Sequence, residues 1–67
     1  MRIEDKLLTQ GEIGSKVTYI PRHAKDDASH PDAEGGTISS WNDKFVFVNY
    51  GRTGTSQATP PELLRFG

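Results

Sequence analysis

Phe45-Val46-Phe47-Val48-Asn49-Tyr50 is the run that decides the fold. β-Branched and aromatic residues fit a pleated, half-buried surface, so this segment reads as a strand. With a side-chain period of two, Val46, Val48 and Tyr50 share one face, and Phe45 and Phe47 share the other. A half-buried strand would alternate with polar residues, and this one is apolar on both faces. The Val46, Val48 and Tyr50 face is expected to turn inward. Phe45 and Phe47 then need cover, either from Ile3, Leu7 and Leu8 or from a partner surface, including a second copy of the chain.

Moving outward, Trp41-Asn42-Asp43-Lys44 precedes the strand. Asn and Asp tolerate left-handed backbone and bond their own main chain, so this is a tight turn. Before it, Gly36–Ser40 forms a strand centred on Ile38, and the two strands make an antiparallel hairpin. After it, residues 51–54 turn, and Thr55–Ala58 is a more polar strand. Thr59 and Glu62 match a capping box, with Pro60 at the first helical position. Pro61 pushes Pro60 off helical angles, which restricts the helix to a single 3₁₀ turn at 61–64. Its Leu63 and Leu64 are placed to plug one end of a barrel.

Towards the N-terminus, Ser15–Ile20 is a strand with Val17 and Tyr19 on one face, ended by Pro21. Residues 21–35 form a polar loop long enough to suggest a function or disorder. Ile3, Leu7 and Leu8 give residues 1–10 the spacing of a short helix, which must dock or remain a loose arm because it is too short to stand alone. The expected organisation is an arm at 1–12 and a barrel at 13–67. The barrel is an all-β, SH3-like one of four to five antiparallel strands with a short C-terminal helical turn. Its core would draw on Ile13, Val17, Tyr19, Ile20, Ile38, Phe45, Val46, Phe47, Val48, Tyr50, Leu63, Leu64 and Phe66.

Composition narrows the function. A chain of 67 residues with 33% apolar content builds one small core, and a deep enclosing pocket is not expected. Cysteine is absent, so neither a disulfide framework nor a thiolate zinc site can form. No apolar run approaches the ~20 residues that span a bilayer, and the mixed-charge start precedes no signal-peptide stretch. The expected location is cytoplasmic, with no membrane partner. Net charge is −1, and the basic residues are scattered, so nucleic acid is a possible but unfavoured partner.

The order of elements resembles SH3-like barrels of the Tudor and KOW kind, through Val17-Thr18-Tyr19, the long loop, Gly36-Thr37-Ile38, Asn42-Asp43 and Val46-Phe47-Val48. More narrowly, the chain is similar to small bacteriophage or prophage proteins. It carries their run as Val17-Thr18-Tyr19-Ile20-Pro21-Arg22-His23-Ala24, His30, Gly36-Thr37-Ile38-Ser39 and Val46-Phe47-Val48. The resemblance covers about residues 15–65 and implies an accessory phage-type protein, with no active site carried over.

Each candidate residue type also has a plainer role. His23, Asp26, Asp27, His30 and Asp32 have metal-ligating chemistry but meet no standard zinc spacing. Bonding to the loop's own backbone is the plainer role, and no metal or other cofactor is expected. Catalysis lacks a thiol, a Gly-x-Ser-x-Gly elbow and a third group orienting Ser29 and His30. Residues 51–54 also lack the lysine and helix of a phosphate loop, so no catalytic residue is assigned. Aromatic and arginine side chains dominate binding hot spots. The expected contact set is therefore Tyr19, Arg22, His23, Asp27, His30, Trp41, Tyr50 and Arg52, centred on the 21–35 loop and the hairpin at Trp41. The function expected is protein binding without chemistry. The alternatives are nucleic-acid binding and a structural homo-oligomer through Phe45 and Phe47.

Overall fold

The computed structural model describes residues 1–51 and 55–67. Its main sheet has five antiparallel strands, β3 (Lys16–Tyr19), β4 (Glu34–Trp41), β5 (Val46–Asn49), β6 (Gln57–Thr59) and β7 (Leu64–Phe66). They lie in the order β6-β5-β4-β3-β7. The β4–β5 pairing sets Ile38 opposite Val48 and Trp41 opposite Val46, with a register shift between Ile38 and Ser40. The chain thus forms an open all-β meander with β7 added on the far side of β3, and not the closed barrel expected. β6 and β7 are the two sheet edges, and no ladder joins them among the described residues.

Strand parity selects the core. Val46 and Val48 are fully buried, and Val17, Ile38 and Leu64 lie on the same inner face with at most 1% of their surface exposed. Ile20 is buried as expected, while Tyr19, Tyr50 and Phe66 are half-buried and pack against the cluster. Two expected core residues face outward, Ile13 at 50% and Phe45 at 39% exposure. Ile13 leaves a 3₁₀ turn (Gln10–Glu12) just before Gly14, whose φ of 88° reverses the chain. Phe45 closes the turn at Asn42, outside the β5 ladder. Phe47 is half-buried.

The N-terminal segment is a hairpin and not the expected helix. β1 (Arg2–Ile3) pairs with β2 (Lys6–Leu7) through Glu4 and Asp5, both at positive φ, as a two-residue primed turn requires. Helical spacing would bury Ile3 with Leu7. Instead Ile3 is fully buried with Leu8, and Leu7 is 55% exposed. The hairpin also protects a sheet edge: the Phe66 backbone N–H donates to Glu4 Oε1 at 2.6 Å, and Lys6 Nζ lies 5.1 Å from the centre of the Phe66 ring. Ile3 and Leu8 therefore belong to the same hydrophobic cluster as the sheet.

The expected capping box does not form. Thr59 ends β6 and is buried, and the 3₁₀ turn at Pro61–Leu63 begins after Pro60 with no side-chain cap. Leu64 is fully buried and Leu63 half-buried. Gly36 has a packing role. A Cβ there would stand 2.6 Å from the Asn49 carbonyl oxygen, 2.7 Å from Val48 Cγ1 and 2.9 Å from Tyr50 Cδ1.

Candidate functional site

Two tyrosines meet at one end of the sheet because of strand parity. Tyr19 follows Val17 by two positions, and Tyr50 follows Val48 by two, so each continues the inner face past the last buried aliphatic. β3 and β5 both end beside the start of β4, which brings the rings together. Their centroids are 6.5 Å apart, and the planes meet at 74°, an edge-to-face pair. They wall a cleft of about 360 Å³ with Glu34, Thr59 and Pro60.

Hydrogen bonds fix one side of this cleft. Thr59 Oγ1 donates to the Gln57 carbonyl at 3.3 Å and shares a hydrogen bond of 3.0 Å with the Tyr50 hydroxyl. Burial pushes the Tyr50 phenol up, the bond to Thr59 partly offsets this, and nearby Glu34 and Tyr19 add to the rise. The cleft thus offers two aromatic surfaces, a neutral hydroxyl system and an acidic wall. That combination can hold a ligand.

The β3–β4 loop leaves from Tyr19 and returns at Glu34, so it borders the same end of the sheet. It is built of short turns. Pro21 and Ala24 are buried anchors around a 3₁₀ turn at Arg22–Ala24, followed by Lys25 and Asp26 in left-handed conformation. Asp27 accepts from Ser29 N and Ser29 Oγ, and these bonds lower its pKa. His30 Nδ1 accepts from Asp32 N at 3.0 Å. His23 Nε2 and Asp32 Oδ2 lie 2.7 Å apart, and that bond holds the Asp32 carboxyl below its ordinary range. Two ion pairs tie the loop to the C-terminal segment, Arg22 with Glu62 at 3.6 Å and Asp26 with Arg65.

The expected contact residues separate into groups. Tyr19 joins Tyr50, and His23 joins His30, whose ring centroids are 5.3 Å apart. Asp27 serves its own turn, and Arg22 faces Glu62. Trp41 is half-buried against the core at the opposite end of β4 from the loop. Eight residues of straight strand cover about 25 Å, so the loop and Trp41 do not form one compact patch. Arg52 lies outside the described residues. Sequence reasoning missed Glu34, Thr59 and Pro60 as cleft residues. Glu34 is brought there by its pairing with Tyr19 and Thr59 by its bond to the Tyr50 hydroxyl, neither of which the sequence alone displays.

No family model, curated protein or solved structure matches the chain.

Proposed function

We propose that the chain is a small, non-catalytic protein-binding module of SH3-like architecture, whose cleft between Tyr19 and Tyr50 receives an extended segment of a partner protein. The carrying observation is the edge-to-face tyrosine pair forming one wall of an open cleft. Aromatic-lined grooves bind extended peptides because rigid rings supply contact area at little entropic cost. Glu34 gives the wall negative character and favours segments bearing Lys or Arg over acidic ones. The SH3-like reading draws on the antiparallel meander with a 3₁₀ turn before its last strand. The resemblance to small phage or prophage proteins makes a host or phage protein the expected partner, in the cytoplasm.

The test is affinity purification from the native host with wild-type chain and two variants. Gln57 lines the cleft, pairs with inner-face Val48 and is exposed on edge strand β6, so Gln57→Arg fills the cleft without disturbing the core. Gln57→Arg is expected to lose the captured protein, and Trp41→Ala, at the far end of β4, to retain it. A partner unaffected by Gln57→Arg refutes the cleft as the contact. Capture of nucleic acid with steep salt dependence refutes protein binding as the function.

A further inference from the structure

The cluster of His23, His30 and Asp32 lies outside the lining of the tyrosine cleft. One ligating atom from each lies within 4.8 Å of the other two. The residues are seven and two apart in sequence, and loop turns bring them together. We propose that these three side chains bind one divalent transition-metal ion, with Zn²⁺ the preferred ion, as a two-histidine, one-carboxylate site.

The donor set selects the metal class. Imidazole nitrogen with a carboxylate suits Zn²⁺ and its neighbours, whereas Ca²⁺ and Mg²⁺ take oxygen ligands. Zinc holds such atoms at about 2.0–2.2 Å, which sets tetrahedral ligand atoms roughly 3.4 Å apart. His23 Nε2 and Asp32 Oδ2 lie 2.7 Å apart, so they need to separate by about 0.7 Å, and no pair of the three ligating atoms exceeds 4.8 Å, so the widest closes by at most about 1.4 Å. Both side chains are about 60% exposed and free to make that adjustment, at 62% and 59%. The backbone beneath them is already fixed, because His30 N donates to the Asp27 carbonyl and Ala33 N to the His30 carbonyl. The nearby guanidinium groups of Arg22 and Arg65 are engaged by Glu62 and Asp26. Three protein ligands leave the fourth position for water or a donor from another molecule.

Binding has a specific structural cost. His30 Nδ1 accepts the Asp32 N–H, so the neutral ring carries its proton on Nε2. Ligation through Nδ1 takes the lone pair that accepts this bond. Ligation through Nε2 moves the proton to Nδ1. Either route ends the hydrogen bond from Asp32 N.

Zinc chloride titrated into the untagged full chain tests the site, by calorimetry and by amide NMR. One ion per chain is expected, with the Asp32 amide resonance among the most strongly shifted. His23→Gln, His30→Gln and Asp32→Asn should each weaken binding at least about tenfold, a loss that even outer-sphere partners can cause. Asp43→Asn, which removes a carboxylate at the distant hairpin turn, should leave the affinity unchanged. Unmoved amide resonances of Val46, Val48 and Leu64 verify the fold of each variant. Absence of zinc binding overturns the proposal, as does wild-type affinity in His23→Gln or His30→Gln. An equal loss in Asp43→Asn also overturns it, by reducing the effect to diffuse acidic attraction.

Discussion

Ile3→Ala should destabilise this protein more than its place near the chain start suggests. Ile3 has 0% exposure and sits in one cluster with Val17, Ile38, Val46, Val48 and Leu64. Truncating a fully buried isoleucine to alanine costs about 2–5 kcal/mol, from lost transfer energy and the cavity left behind. A domain of 67 residues has a total stability of roughly 3–10 kcal/mol. The single substitution therefore removes a third or more of the total at mid-range values. Leu7, four positions on, is 55% exposed, and Leu7→Ala should change stability by less than about 0.5 kcal/mol.

Urea unfolding followed by Trp41 fluorescence measures both, since Trp41 packs against the same cluster. With a slope of about 1 kcal/mol per molar urea for a small domain, Ile3→Ala should lower the midpoint by roughly 2 M or more. The Leu7→Ala curve should nearly overlay the wild type. Similar small shifts for the two variants would refute docking of the hairpin on the sheet. A larger loss for Leu7→Ala than for Ile3→Ala would restore the helical spacing that the sequence suggested.

Gly36→Ala should cost several kcal/mol or prevent folding, because its Cβ would meet the Asn49 carbonyl oxygen at 2.6 Å and neither backbone can yield cheaply; thermal unfolding against the exposed control Gly35→Ala reads this directly. The pH dependence has a definite sign at the acid end. Asp27 has a folded-state pKa lowered by its bonds to Ser29, so it contributes stability above the ordinary carboxylate pKa and loses it as pH falls through the lowered value. Asp27→Asn should therefore be less stable at neutral pH and lose less than the wild type on acidification below about pH 4, checked by urea midpoints across the range.

The features legible in the sequence are those set by period two. Val17, Ile38, Val46 and Val48 are buried, and the Phe45–Tyr50 run supplies β5, because alternation fixes faces without knowledge of partners. The N-terminal segment is ambiguous in sequence because Ile3 fits helical spacing with Leu7 and hairpin burial with Leu8 equally well. Glu4 and Asp5 resolve the choice by adopting positive φ, which Asp tolerates but Glu does not announce. Thr59 is ambiguous for a related reason. Its pattern with Glu62 matches a cap, but pairing with Val46 across β5 and β6 holds it as a strand residue.

Sites depend on register, which is a property of pairs. Tyr19 and Tyr50 are visible separately as aromatic candidates, and only the β3–β4 and β4–β5 ladders place them at one end of the sheet. The same ladders set Trp41 at the other end, so composition alone joined residues that β4 holds apart. The loop shows the limit most clearly. His23 and Asp32 are nine positions apart with no periodic element between them. They meet because buried Pro21 and Ala24, left-handed Lys25 and Asp26, and the Asp27–Ser29 turn fold the intervening chain back on itself. Each of these is a local side-chain or backbone choice worth little alone. Their sum converts a polar stretch that looked unstructured into an ordered constellation of donor atoms.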